Sequence, residues 1–240
     1  MRKKYLLKIY KTRWHLIFTF GIIIIPFIFF LTFSKIFGIP SGKLFSDIFV
    51  SFNRLLIAYL IAVFIGWILA ALFYRGRGAT IALPLFDVLQ SFPTFAVLPL
   101  AIFWGGVSEK TIIFFLVLAI LWPIFFSIIS SLKLMKHEWE EAVEIMQLKG
   151  WKYIFNFLFP VSIPGLITGS IIGLGEGWEA LMATEIIIGT HVGLGSFFQS
   201  FSQNFSVTAF GVLGFLIIIF TINKVLWLPL LEKSHKQMED

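Results

Sequence analysis

Residues 111–132 read TIIFFLVLAILWPIFFSIISSL, and the chain then turns abruptly polar, with residues 133–150 reading KLMKHEWEEAVEIMQLKG. The first stretch carries no charged side chain over 22 residues. A bilayer core takes about 20 mainly apolar residues as a helix. Barrel strands would show alternating segments of about 10 residues, and this run is longer and apolar on all sides. It therefore reads as a membrane-spanning helix, with a charged segment held outside the bilayer directly after it.

Working outward, runs at 16–33, 52–74 and 80–104 precede it, and runs at 163–188 and 206–230 follow. The expected fold is an all-α membrane protein of six spans. Residues 1–240 form a single transmembrane domain, with a long loop at 133–162 and a polar one at 189–205. Composition agrees, since only 13% of residues are charged, against about 25% in an ordinary soluble domain. Thirty phenylalanines and a mean hydropathy of +0.93 point the same way.

The net charge of +6 does not indicate nucleic acid, because the basic residues form short clusters between apolar runs. Arg2, Lys3, Lys4, Lys8, Lys11 and Arg13 precede the first span. Arg75 and Arg77 follow the second, Lys133, Lys136, Lys149 and Lys152 the fourth, and Lys233 and Lys236 the sixth. The alternate segments hold only Lys35, Lys43, Arg54 and Lys110, and Lys224 lies within the last span. This asymmetry places both termini in the cytoplasm. The N-terminal apolar run is long for a signal peptide and no small-x-small cleavage pattern follows it, so it reads as an uncleaved first span.

Cysteine is absent, which excludes a disulfide framework, a zinc–thiolate site and a cysteine nucleophile. No G-x-x-x-x-G-K-[ST] occurs, so the chain carries no P-loop. His191 and Ser196 share one polar loop without a buried base, which is no catalytic pair. The four histidines are scattered. The chain is not expected to be an enzyme or to bind a cofactor or metal itself.

Within the polar segment, Trp139, Ala142, Val143 and Met146 fall at i, i+3, i+4 and i+7, one face of a helix. Glu138, Glu140, Glu141 and Glu144 crowd its other positions, and Lys149 stands near its end, as the helix dipole favours. Helices that lie on headgroups carry Lys/Arg on the polar face; an acidic one suits a protein groove.

Glu141-Ala142-Val143, followed by Trp151 and by Leu158-Phe159-Pro160, resembles the EAA loop of binding-protein-dependent ABC importer permeases. Arg54-Leu55-Leu56-Ile57-Ala58-Tyr59, Gln90-Ser91-Phe92-Pro93 with Leu98-Pro99-Leu100, Glu185, and Gly193-Leu194-Gly195 resemble the nitrate/sulfonate/taurine-type branch. The resemblance covers roughly residues 45–230. It implies a multi-pass cell-membrane subunit that pairs with a second copy. An ABC ATPase subunit carrying ATP and Mg would bind at the EAA helix, and an extracytoplasmic substrate-binding protein would deliver a small solute. Glu141, Ala142, Val143, Met146, Gln147 and Gly150 would then be the coupling residues.

One departure stands out. The family's motif glycine falls at Gln147, and this chain's glycine comes three residues later at Gly150. A docking helix over 137–150, about one turn longer than usual, is therefore expected. An ion-coupled secondary transporter is the alternative, but the inverted repeats that would favour it are not evident.

Two further features lie in the fifth span. Gly165, Gly169, Gly173 and Gly177 are spaced four apart, a small-residue stripe that lets another helix approach closely. Glu176 and Glu179 share a face near mid-span, flanking Trp178. An acid facing hydrocarbon costs roughly 2.5 kcal/mol or more, so these three are candidates to border the translocation pathway. Two such acids per subunit would favour a neutral or cationic solute. Glu185, nine positions from Glu176, falls on the opposite face, where bonding to the Gly193–Gly195 loop is the expected role. Pro93, Pro99 and Pro123 lie inside the third and fourth spans as hinges or static kinks.

Overall fold

The computed structural model describes residues 2–91, 93–135 and 137–239. Phe92 and Lys136 lie outside the described residues, as do the side chains of the basic N-terminal cluster. Among the described residues the chain is entirely helical, without a strand. The helices are α1 (Arg2–Phe37), α2 (Ser41–Phe73), α3 (Arg77–Ser91), α4 (Thr94–Gly105), α5 (Glu109–Lys133), α6 (His137–Ile145), α7 (Gly150–Tyr153), α8 (Phe159–Ile188), α9 (Leu194–Ser200), α10 (Phe205–Ile222) and α11 (Leu228–Glu239). π-helical stretches, Ile154–Leu158 and Asn223–Trp227, join α7 to α8 and α10 to α11.

Helix α5 is the centre of the bundle. Ser108 caps it, its side chain accepting from the Thr111 amide at 3.3 Å. Phe115, Leu116, Ile120, Ile124, Phe125 and Ile128 along its length are fully buried, as expected of a helix apolar all round. It packs between α2 and α8, and the glycine stripe explains how α8 comes so close. A Cβ on Gly169 would lie 2.6 Å from Ile124 Cα, and one on Gly165 would collide with the Ser127 carbonyl. On Gly177 it would meet Ile120 Cδ1 at 2.8 Å. The stripe thus faces α5 of the same subunit. Two polar links tie α2 to α8: Trp67 Nε1 donates to Ser162 Oγ at 2.8 Å, and the Tyr59 hydroxyl lies 2.9 Å from Ser170 Oγ. Ser170 already donates to the Leu166 carbonyl, so Tyr59 is the donor.

Among the described residues five helices are long and apolar enough to cross a membrane: Thr19–Phe37, Ser41–Phe73, Glu109–Lys133, Gly150–Ile188 and Phe205–Ser234. The expected third span, 80–104, is not one straight helix. It is the pair α3 and α4, bent by 85°, with Pro93 at the N-cap of α4. Pro93 cannot donate the hydrogen bond that would carry the helix onward, so the chain restarts there. Pro99 and Pro123, by contrast, sit inside unbroken helices.

The second span begins at Ser41 rather than 52. Its extra turns contain the buried Asp47, which accepts from the Gly193 amide, and the buried Arg54 follows just inside the expected span, paired with Glu185 and Glu109. The polar loop at 189–205 is also less watery than its composition implies. It contains α9, and Gly193, Leu194, Gly195 and Phe197 are buried.

Candidate functional site

The segment between α5 and α8 is where the structure departs most usefully from the sequence reading. The helix expected over 137–150 stops at Ile145. The Leu148 amide donates to the Val143 carbonyl at 3.1 Å and the Gln147 amide to that of Glu144 at 3.0 Å. These are the paired bonds of a Schellman motif, in which one residue must turn left-handed. That residue is Gln147, at φ +49°, the one non-glycine residue with positive φ among the described residues. The turn therefore forms at the glycine position of the look-alike family, with glutamine in it. Gly150, at φ +56°, opens α7 instead. Glutamine's absence from the usual list of turn residues misled the reading, because two well-formed hydrogen bonds offset a backbone cost of about 1–2 kcal/mol.

Three apolar positions of α6 and Met146 just past its end face one groove. Trp139, Ala142, Val143 and Met146 line a cleft of about 600 Å³, closed on its far side by Phe157, Pro160 and Pro164 and reached by Ser234 of α11. Ile145 and Met146 remain more than two thirds exposed. Glu138, Glu141 and Glu144 are exposed around them, while the Glu140 side chain lies outside the described residues. The result is an apolar cleft between α6 and the start of α8, with exposed acids of α6 around it.

At the other end of the bundle lies a buried charge network that contains the expected bond of Glu185 to the Gly193–Gly195 loop, together with Asp47, Ser51 and Arg54, which the sequence did not single out as its partners. Glu185 is fully buried. Its carboxylate accepts from Arg54 Nη1 at 2.6 Å, from Ser51 Oγ at 2.7 Å and from the Gly195 amide at 2.7 Å. Ser51 Oγ accepts in turn from the Leu194 amide at 2.8 Å, and Asp47 Oδ1 from the Gly193 amide at 3.0 Å. Arg54 also donates to the Val192 carbonyl at 2.9 Å and pairs with Glu109 at the start of α5. Each of three consecutive amides, 193 to 195, thus finds a side-chain oxygen. Glycines at 193 and 195 are needed because a Cβ at either would lie 2.6 Å from Glu185 atoms. A signal was available: Asp47, Ser51 and Arg54 stand at i, i+4 and i+7, one helix face.

Glu176 and Glu179 are brought together on an exposed face of α8, beside the glycine stripe. Trp178 is not with them. It is buried, its ring 5.0 Å from that of Phe215 on α10. Successive helical residues point about 100° apart, which turns Trp178 toward α2 and α10. Among the described residues no three His, Cys, Asp or Glu side chains gather as a metal site.

Comparison with known proteins accords with this architecture. The chain is 32% identical over 152 residues to the nitrate import permease protein NrtB of Synechocystis sp., covering 63% of this chain and 55% of that one. It is 30% identical over 166 residues to the taurine transport system permease protein TauC of Escherichia coli, covering 68% and 59%. It is 26% identical over 192 residues to the putative aliphatic sulfonates transport permease protein SsuC of Bacillus subtilis, covering 78% and 68%. The match thus spans less than two thirds of the first two relatives' own length. Residues 62–229 match the family described as binding-protein-dependent transport system inner membrane component. Five to six apolar helices and a match over most of the chain lead to one conclusion: this multi-pass inner-membrane protein belongs to the family of binding-protein-dependent transport system inner membrane components, the ABC importer permeases of the nitrate/sulfonate/taurine branch.

Proposed function

We propose that the chain is the six-span permease subunit of an ATP-driven importer, coupled to a separate ATPase through α6 and the Gln147 turn. The bent pair α3–α4 supplies the sixth span, and both termini lie in the cytoplasm. The observation that carries the reading is the acidic-rimmed apolar cleft beside α6. Exposed Ile145 and Met146 call for a protein surface to cover them, and the rim's negative charge disfavours an anionic membrane surface. Glu141, Ala142, Val143, Met146, Gln147 and Gly150 form or border that contact. The subunit pairs with a second copy, ATP and Mg reside on the ATPase, and a substrate-binding protein delivers the solute from outside.

ATP binding drives transport only by favouring one global state over another. A short helix pinned between two spans by a tight turn suits that task, because a displacement at α6 must pass to α5 or α8. The solute is of the size of the relatives' nitrate, taurine and aliphatic sulfonates. Glu176 and Glu179 border its path and weigh toward a neutral or cationic form.

The test is to purify the tagged chain from its native membrane. A P-loop ATPase of stoichiometric amount, lost on Ala142→Asp while the permease stays monodisperse, is the expected result. A chain that transports solute on an ion gradient without any ATPase would refute the proposal and favour secondary transport.

A further inference from the structure

The groove between α2, α8 and the π-helical stretch before α11 has a lining that a small polar solute could not use. Phe52, Leu55, Tyr59, Trp178 and Trp227 wall a cavity of about 160 Å³. The Tyr59 hydroxyl is occupied by Ser170. An adjoining cavity of about 260 Å³ shares Ile171, Asn223 and Trp227 with the first and continues along the helix to Lys224 and Leu231. Together they make an apolar channel with one cation at its rim. The helices that build it all belong to segments apolar enough to cross a bilayer, so the channel lies at the depth of the bilayer.

Lys224 sits in the Phe205–Ser234 span and makes no ion pair among the described residues. It lies 19 residues beyond Phe205, roughly 28 Å at 1.5 Å per residue. A hydrocarbon core is about 30 Å thick, so with Phe205 near one interface its ammonium reaches the headgroup level of the other. A lysine there is stable when it meets a phosphate. The π-helical turn, a feature common at functional sites, sets Asn223 and Lys224 beside the groove rather than the ladder of a regular helix.

We propose that this groove holds an anionic phospholipid, one acyl chain along Phe52, Trp178 and Trp227 and its phosphate on Lys224. The assignment of the lipid to the cytoplasmic leaflet rests on the orientation proposed above; the site itself rests only on the membrane fold. The groove can be filled without disturbing the bundle, because a Cβ on Gly175, which lines it, meets nothing within 4 Å.

Native mass spectrometry of the detergent-purified chain, supplied with phosphatidylglycerol or phosphatidylcholine, tests this. Retention of phosphatidylglycerol at least fivefold above phosphatidylcholine is expected, falling to parity in Lys224→Gln, restored in Lys224→Arg and lost for both lipids in Gly175→Leu. Equal retention of both lipids by the unaltered chain overturns the proposal. So does a Gly175→Cys variant that crosslinks to itself in membranes, since the chain has no other cysteine and a second copy would then occupy the groove. ATPase copurification measured on the same samples keeps the outcome separate from that of the importer reading.

Discussion

Arg54 Nη1 donates to Glu185 Oε1 across 2.6 Å, with the arginine side chain 7% exposed and the glutamate fully buried. The same guanidinium reaches Glu109, which is 62% exposed. The two carboxylates are thus bound by one cation in different surroundings, and their removal should not cost the same. A buried pair broken from one side leaves an uncompensated charge, typically at about 3–5 kcal/mol, whereas an exposed pair contributes about 0–1 kcal/mol. Glu185→Ala should therefore lower thermal stability in detergent far more than Glu109→Gln. Similar midpoints for the two variants would show that Glu185 is not the centre of the network. Glu185→Ala should also free the 189–200 segment, read as faster cleavage there by added protease.

The glycine stripe makes a graded prediction. Overpacking costs about 1–3 kcal/mol where neighbours can yield, but Gly169 and Gly165 face backbone atoms, which cannot. The Cβ positions at Gly173 lie 3.0–3.2 Å from Ile120, a tighter fit than usual but not a collision. Gly169→Ala should destabilise more than Gly173→Ala, and Gly173→Leu should abolish a stable bundle. Unfolding midpoints ranked the other way would mean that α5 and α8 are further apart than described.

Gln147 offers a test of the turn. Glycine adopts positive φ without steric cost while β-branched residues resist it. Gln147→Gly should slow hydrogen exchange at the Leu148 amide, consistent with a gain of up to about 1 kcal/mol, and Gln147→Val should speed it. Exchange unchanged in both variants would be incompatible with a left-handed residue at this position.

The docking face is tested by charge. Glu141→Lys reverses a rim charge, and Ala142→Asp sets a carboxylate in the apolar cleft. Desolvating an unpaired charge at an interface costs several kcal/mol, so Ala142→Asp should lose the ATPase and Glu141→Lys should weaken it in a salt-dependent way. Full copurification and transport in both would remove α6 from the coupling role.

Much of this was legible because bilayers demand long apolar helices, and residues 111–132 or 206–230 state that demand without ambiguity. The apolar face of α6 was readable from spacing alone. What escaped was where opposite charges meet across the chain. Arg54 was counted among the loop charges because counting charges cannot register that Glu185, over 130 residues away, pairs with it. The break at Pro93 was visible as a proline, but its 85° extent depends on what α3 and α4 each pack against. The turn at Gln147 was hidden by a rule about residue types, while hydrogen-bond geometry decided it.

Glu176 and Glu179 remain the test of the pathway. They stand three apart on an exposed face of α8, beside the stripe that packs on α5. A carboxylate at that depth facing hydrocarbon costs roughly 2.5 kcal/mol or more, and two of them on one face make lipid exposure costlier still. Water or a partner subunit should lie against them. If they border the path, neutralising both removes a negative field that the solute must cross, altering recognition without altering the fold. Glu176→Gln with Glu179→Gln should leave the thermal midpoint within about 1 kcal/mol of the parent, as expected of exposed positions. ATPase stimulation by loaded binding protein in liposomes should change several-fold, upward for an anionic solute and downward for a cationic one. Stimulation and selectivity unchanged in the double variant, with the bundle intact, would place the acids at a subunit contact instead.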